Sequence, residues 1–350
     1  MGESRKQTKE TAATRRENHW VEAAADLLGL ELSSIMTECP RCGKPALPFT
    51  KWVPGPTEKP VYAFHPDHGE PPEYYELTGE EAGRIRGTVE LSKPDLRRLL
   101  RKSDAYVLFS GGRDSLCLLL YLLEVAPRSR EKLTAVHIDT TAGFPEVTRY
   151  VRRVCKKLGV TLKIVGPKRD YFELAKRWGI PGFQARWCCK ELKVRPVRDF
   201  LAEVEGPKVV FDGIRAAESY LRSTYLPVWY HPDFRCLSVS PILHWSHDEV
   251  SQYVEASGLP KSPAAEFGCS AECWCGAYKK RKDFEQLLDV HPDIFDKLVE
   301  VEEAQRGRYT FLFEKGERVP LASLKKTRRA PNAARTRKPT PRKRTSKPSS

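Results

Sequence analysis

The sequence predicts an α/β protein: a parallel, twisted sheet with helices on both faces, preceded by a small metal-stapled module. Three observations carry this reading. Short apolar strands alternate with amphipathic helices from about residue 105 onward. A glycine-rich turn joins the first of those strands to an apolar helix. A Cys-x-x-Cys pair stands in a stretch rich in Pro, Gly and aromatic residues before them. Strands separated by helices are joined by crossovers, and crossovers give parallel pairing.

The elements come in order along the chain. Residues 1–37 are polar and loose, with one short amphipathic helix from Asn18 to Leu28. Residues 38–75 form a loop-rich module that needs a staple. Residues 76–104 are a linker in which Ser92 caps a basic helix running to Lys102. The main domain covers 105–280. Its strands are expected at Tyr106–Phe109, Ala135–Ile138, Leu162–Val165 and Val209–Asp212. Its helices are expected at Leu116–Val125, Glu146–Leu158, Asp170–Trp178 and Lys190–Glu203. Ser246-His-Asp-Glu249 is a capping box that opens a further helix to about Ala256. Residues 281–324 form a helical extension, and 325–350 a disordered tail.

The composition sets bounds. Of 350 residues, 40% are apolar and 30% charged, which suits a folded core rather than a disordered chain. The longest strongly apolar stretch, Leu116 to Leu123, is far below the roughly 18 residues a membrane helix needs. The first twenty residues lack the apolar core of a secretory signal. A soluble, cytoplasmic protein with no membrane partner is expected. The net charge is +14, from 60 basic and 46 acidic residues. Residues 325–350 hold eleven Lys or Arg and no acid, leaving 49 against 46, or +3, for the rest. Such a tail can neutralise phosphates of RNA or DNA, or simply keep the chain soluble.

Ten cysteines cluster at 39/42, 188/189 and 269/273/275, with 117, 155 and 236 alone. Without a secretory signal, clustering of this kind points to metal or redox chemistry rather than disulfides. Cys39-Pro-Arg-Cys42-Gly is a zinc-knuckle turn, and His65 and His68 are its nearest further ligands for Zn²⁺. The lone Cys117, Cys155 and Cys236 sit in or near apolar elements and are expected in the core.

The sharpest signal is Phe109-Ser-Gly-Gly-Arg-Asp-Ser115, between a strand and a helix. Gly111 and Gly112 let the backbone approach a ligand, and the helix start beyond them favours anions. Ser110 and Ser115 add hydroxyls and Arg113 a positive charge. The chemistry is that of a phosphate or pyrophosphate site, and no Gly-Lys-Ser/Thr of a Walker A loop is present.

Ser-Gly-Gly-Arg-Asp-Ser resembles the PP-loop of the adenine nucleotide alpha-hydrolase (ATP pyrophosphatase) superfamily, a Rossmann-like fold. Within it the chain resembles the phosphoadenosine phosphosulfate (PAPS) reductase family. The supporting motifs come in order: His137-Ile-Asp-Thr-Thr141 with Phe144-Pro-Glu146; Trp187-Cys-Cys-Lys-Glu-Leu-Lys193 with Arg195-Pro196; Gly213-Ile-Arg215 with Glu218-Ser219 and Arg222; and Ser240-Pro-Ile-Leu-His-Trp245 with Val250 and Tyr253. The resemblance covers about residues 104–278.

It implies an adenine nucleotide, ATP or a sulfonucleotide (APS or PAPS), at the carboxyl ends of the strands. Ser110, Gly111, Gly112, Arg113, Asp114 and Ser115 would hold phosphates, with Mg²⁺. Asp139 and Thr140 would lie near the adenosine, and Gly213 and Glu218 would also bind the nucleotide. Lys193, Arg215 and Arg222 would neutralise phosphate or sulfate, and Asp114, Lys193 and Arg215 would be catalytic. Four of Cys188, Cys189, Cys269, Cys273 and Cys275 would bind a [4Fe–4S] cluster, as thiolates suit; zinc or a redox dithiol are the other readings. The intact loop resembles relatives that cleave ATP between its α and β phosphates. The implied function is adenylation by ATP coupled to sulfur transfer from a sulfur donor. The alternatives are sulfonucleotide reduction with a thioredoxin-like reductant, and a non-catalytic nucleic-acid-binding protein that keeps the fold.

Overall fold

The computed structural model describes residues 91–329 apart from 183–184, 207, 224, 232, 268–272 and 278, together with four earlier strands. Those strands are β1 (Thr37–Glu38), β2 (Pro45–Thr50), β3 (Val61–Phe64) and β4 (Tyr74–Glu76). They pair antiparallel in sequence order, so the stretch expected to be loop-rich contains a small meander. Val61-Tyr-Ala-Phe64 and Tyr74-Tyr75 supply the branched and aromatic residues that strands favour. Cys39, Cys42, His65 and His68, and the zinc expected on them, lie outside the described residues, as do the Asn18–Leu28 helix, Cys269 and residues 330–350.

The chain divides into two units, Met1–Tyr278 and Lys279–Ser350. The first holds a six-stranded sheet. Its strands are β5 (Asp104–Leu108), β6 (Leu133–Ile138), β7 (Thr161–Val165), β8 (Lys208–Phe211), β9 (Val228–His231) and β10 (Cys236–Val239). The order across the sheet is β7-β6-β5-β8-β10-β9. All neighbours run parallel except β9, which is antiparallel to β10. The expectation of a wholly parallel sheet is corrected here: β9 and β10 form a tight hairpin, which needs no crossover helix.

Helices α1 (Lys93–Lys102), α2 (Arg113–Val125), α3 (Pro145–Leu158) and α4 (Tyr171–Trp178) match their sequence signals closely. Ser92 caps α1 in a box with Asp95, and Asp170 caps α4 through the amides of Phe172 and Glu173. The next helical run has three parts: a first turn at Trp187–Cys189, a π-turn at Lys190–Val194, and α5 (Arg195–Ala202). Ser246 and Glu249 form the expected box at the start of α6 (His247–Ala256).

Strand alternation sorts the core into two layers. Tyr106, Val136, Val210 and Cys236 face Val197 and Leu201 of α5 on one side. Ala105, Val107, Ala135 and Val209 point the other way and are fully buried. The second layer is covered by α2 and α3, whose Leu118, Leu119, Leu122, Tyr150 and Val151 are fully buried.

The second unit contains α7 (Arg281–Val290), α8 (Pro292–Ala304), the hairpin β11 (Leu312–Glu314) and β12 (Glu317–Val319), and α9 (Ala322–Arg329). Buried Glu302 accepts from the amides of Phe311 and Leu321, which fastens the hairpin region to α8. The α9 helix extends to Arg329 and so enters the run expected to lack structure.

The turn after β5 needs its first glycine. Gly111 has φ +80°, and a Cβ there would lie 2.9 Å from Val151 Cγ2 and 3.0 Å from Val147 Cγ1 of α3. Gly111→Ala is expected to destabilise the chain by about 2 kcal/mol through strain and overpacking. Thermal unfolding should read this as a fall in Tm of about 4–8 °C; an unchanged Tm would show that the loop relaxes freely.

Candidate active site

Parallel β5 and β8 are neighbours, so their carboxyl ends open on the same edge of the sheet. The chain leaving β5 turns through Ser110-Gly-Gly into α2. The Ser110 and Ser115 hydroxyls stand 3.0 Å apart. Ser110 Oγ accepts from the Gly112 amide at 3.2 Å, and Ser115 Oγ donates to the Gly112 carbonyl at 3.0 Å. The first-turn amides of a helix have no intrahelical acceptors and carry the positive end of its dipole. Gly213, just past β8, closes on this turn: a Cβ there would lie 3.2 Å from the Asp114 carbonyl and from Ser115 Cα. The arrangement is an anion cradle in which hydroxyls and amides converge.

The charges around it are organised in pairs. Asp114 Oδ1 lies 3.1 Å from Arg215 Nε, whose side chain is only 4% exposed. Arg215 also donates to the Trp245 carbonyl at 3.3 Å, and its backbone amide donates to Glu218 at 3.1 Å. Glu218 in turn pairs with Arg222. Arg113 turns toward α6, reaching His247 at 2.9 and 3.0 Å and Ser251 at 3.0 Å.

A cavity of about 570 Å³ opens beside the cradle. Ser110, Gly112, Arg113, Asp114 and Ser115 form one wall. Lys193, Gly213, Glu218 and Arg222 join them, so most of the expected phosphate residues line one space. Arg215 stands outside that lining and holds Asp114 from behind. Asp139 and Thr140 also stand outside it; Asp139 accepts from the Thr141 amide at 3.0 Å, and Ile138 takes their place on the wall.

The far end of the cavity is apolar and aromatic. Val136, Ile138, Val194 and Val197 meet Trp229, His231 and Phe234 there. The His231 ring stacks on Phe234 at 3.7 Å and lies 4.6 Å from the Trp229 ring. Burial drives the His231 pKa down to about 3, so the imidazole is neutral at pH 7. Trp229 Nε1 and His231 Nδ1 are buried without a hydrogen-bond partner among the described residues. Buried polar atoms are normally paired, so an unpaired couple on a cavity wall invites a ligand. Asp212, buried on the cavity wall, accepts from Ser238 and Ser240 hydroxyls at 3.0 and 2.6 Å, and burial raises its carboxyl pKa. Trp229, His231 and Phe234 carry no motif signal; the period-two alternation Trp229-x-His231, cut short by Pro232, is the trace their strand leaves in the sequence.

The cysteine expectation divides. Cys188 shares thiol hydrogen bonds with Cys189 and Cys275, and Cys275 with Cys273. Two segments more than 80 positions apart are thereby brought together. Tyr171 does the joining: its ring stacks on Trp187 at 5.9 Å and its hydroxyl donates to the Cys275 carbonyl at 2.6 Å. Hydrogen bonds from Cys188 and Cys273 hold the Cys275 thiol down at about 3, and one from Cys188 lowers Cys189 to about 6. Cys188 and Cys273, as the donors, are raised. Lys193 adds a positive field to this row while it also lines the cavity. Thiolates of this kind are the donors a [4Fe–4S] centre takes. Yet among the described residues no group of three or more His, Cys, Asp or Glu is arranged to hold an ion, and the thiols are joined as a row. Cys117, Cys155 and Cys236 are buried, their thiols pushed up to about 12, 11 and 12 by burial, as core cysteines should be. Among the described residues no helix is long and apolar enough to cross a membrane.

Arg215→Met tests the pairing behind the cradle. It removes the nearer of two guanidinium groups at Asp114 Oδ1, Arg113 Nε remaining at 3.5 Å, and breaking an enclosed pair costs about 3–5 kcal/mol. Asp114 keeps some access to solvent, so about 2–3 kcal/mol is expected in urea unfolding. A loss under about 0.5 kcal/mol would show that the pair does not support the site.

Comparison with known proteins addresses the same segment. Residues 104–271 match the family model of the phosphoadenosine phosphosulfate reductase domain. An uncharacterized protein of Methanocaldococcus jannaschii is 31% identical over 170 residues, 48% of this chain and 34% of that one. The adenosine 5'-phosphosulfate reductase of Bacillus cereus is 28% identical over 163 residues, 45% of this chain and 66% of that one. The chain thus spans about a third to two-thirds of the length of these curated relatives. A solved phosphoadenylyl-sulfate (PAPS) reductase from Candida auris, a phosphate complex, aligns with 22% identity over 57% of this chain and 97% of that one, at a TM-score of 0.41. With its ordered motifs, its strand-exit cradle and the family-model match, the segment from 104 to 271 is a member of the phosphoadenosine phosphosulfate reductase domain family.

Proposed function

We propose that the cavity binds an adenine nucleotide and that the protein is an enzyme using it for adenylation coupled to sulfur transfer. One observation carries this: a single cavity has an anion cradle at one end and an aromatic lobe with unpaired ring nitrogens at the other. A nucleotide has the same polarity, with phosphates at one end and a flat, hydrogen-bonding base at the other. Phosphates would sit against Ser110, Gly112, Ser115 and the start of α2. Lys193 and Arg222 would meet their charge. The purine would lie along Trp229 and His231, with the Trp229 N–H as donor.

With ATP, an oxygen of the acceptor attacks the α-phosphorus and the bond to pyrophosphate breaks. Bound Mg²⁺ would offset charge on the departing pyrophosphate. The residues of this chain orient the phosphates and stabilise the leaving charge from fixed positions. Arg215 acts as a positioning residue, since it reaches the cavity only through Asp114. A sulfur donor leaves a persulfide on one thiol of the row, and its terminal sulfur then displaces AMP from the acceptor. A second thiol of the row attacks the resulting S–S bond, the thiolated acceptor departs as a Cys–Cys disulfide forms, and a dithiol reductant restores the pair. Lys193 stands between the two stations and serves both. No step of this scheme runs through a metal cluster.

A second reading is favoured by the Bacillus cereus relative, which is named for adenosine 5'-phosphosulfate reduction. In that case a thiolate attacks the sulfur of adenylyl sulfate, AMP leaves, and a second thiol releases sulfite as a disulfide forms. A thioredoxin-like reductant would then restore the dithiol.

Product analysis separates the two. Pyrophosphate and AMP formed from ATP support adenylation; sulfite formed from adenylyl sulfate with a dithiol reductant supports reduction. Absence of both sets of products, from protein of native stability, rejects this function. Ser115→Ala removes one donor to a charged phosphate, worth about 1.5–3 kcal/mol, and should lower kcat/KM about 10-fold or more on whichever substrate turns over.

A further inference from the structure

The cradle and its cavity occupy the carboxyl edge of the sheet. At the opposite end of α2 there is a second cavity of about 570 Å³, between α1 and the 3₁₀ turn Pro127–Lys132. Four guanidinium side chains line it: Arg97, Arg98 and Arg101 from α1, and Arg128 from the turn. The helix α1 buries Leu96, Leu99 and Leu100, so its arginines are left on the outer side. Glu124 is the single carboxylate among the lining residues, and it is already held by Lys93 at 3.0 Å and by the Tyr253 hydroxyl. Asp95, the one acid of α1, is engaged by Ser92 at the cap. The basic rim continues past the cleft. Lys132 reaches the Arg101 carbonyl at 2.7 Å, and Arg130 lies 3.6 Å from where a Cβ of Gly159 would stand, at the end of α3 after Lys156 and Lys157.

Helix stabilisation accounts for part of this. Arg97 Nε donates to the Val125 carbonyl at 2.9 Å and so caps the negative end of α2. It does not account for Arg101 and Arg128 facing the same space. Like charges gathered in a cleft raise each other's energy unless an anion lies among them. Planar guanidinium groups match phosphate oxygens in particular.

We propose that this arginine cleft docks the phosphodiester backbone of a nucleic acid. The thirteen residues of α2 separate the cleft from the phosphate cradle by about 20 Å. A small anion in the cleft could not extend to the reaction site, whereas a polymer can cover that distance along the surface. The chain's own composition agrees: residues 325–350 carry eleven cations and no acid, so two separate parts of the protein offer charge to the same kind of partner.

The test uses the full chain and fluorescence anisotropy with mixed-sequence 20-nucleotide RNA and 20-base-pair DNA, titrated across about 50–200 mM salt. Arg101→Gln with Arg128→Gln removes two exposed cations. Each phosphate contact contributes about 0.7 to the salt slope for single strands and about 0.9 for duplex DNA. The double variant should therefore bind at least about 10-fold more weakly, with a slope shallower by about 1.4 on RNA or about 1.8 on DNA. Arg101→Lys with Arg128→Lys should keep the slope. Unchanged affinity and slope in the Gln variant overturn the proposal. So does loss of tripolyphosphate binding without any change on either oligonucleotide, which would make the cleft a small-anion site. Should the double variant melt lower than the parent, Arg128→Gln alone decides, with half the change in slope. None of these readouts depends on nucleotide turnover at the cradle.

Discussion

The close approach of two strand exits is the constraint from which the site derives. β8 lies beside β5, and Gly213 brings its outgoing backbone within contact of the first turn of α2. That approach allows the Arg215 side chain to pass behind the loop and meet Asp114. The loop is thus fixed from both sides, by α3 against Gly111 and by Arg215 against Asp114. An anion cradle made of hydroxyls and amides is useful only if those groups stay in place while charge shifts on the ligand. Here the rigidity comes from packed backbone and a mostly enclosed ion pair.

The second feature is the placement of the thiol row. Trp187, Cys188 and Cys189 open the helical run that continues into α5, and Cys273 to Cys275 return from far along the chain. Tyr171 fastens both. The π-turn between the cysteine pair and α5 carries Lys193. A π-turn adds a residue to a helical turn and re-aims the side chains beyond it, and such turns recur at functional sites. Its effect is to put one ammonium group where it influences both the thiolates and the phosphate cavity. The thiol row and the phosphate cavity are therefore joined by a shared cation and by a short stretch of chain.

Much of this was legible in the sequence, and the remainder was hidden for identifiable reasons. The alternation of strands and helices from β5 to α5 was clear because each element is amphipathic or fully apolar over its length. The cradle was clear because the whole run Phe109-Ser-Gly-Gly-Arg-Asp-Ser115, and not its paired glycines alone, stands between a strand and a helix. The β9–β10 hairpin was not, since two four-residue strands around a proline carry almost no periodicity. With it went Trp229, His231 and Phe234, and hence the apolar end of the cavity. Arg215 was expected to face the phosphates because a motif gives residue types without directions; the fold turns its side chain toward Asp114 instead. Asp139 and Thr140 were placed near the ligand on the same basis, and the fold gives that wall to Ile138. Spacing set Cys188 and Cys189 and the later Cys273 and Cys275 apart as two groups, but it could not show that the fold brings these four thiols together.

The central claim is that an adenine nucleotide occupies the cavity with its phosphates on the cradle. Isothermal calorimetry of the intact protein against ATP, adenylyl sulfate and phosphoadenylyl sulfate measures this directly. The account predicts saturable heat for at least one of them with one site per chain, and a marked loss of that heat when Ser110 and Ser115 are both replaced by alanine. No heat with any of the three, from folded protein, would contradict it.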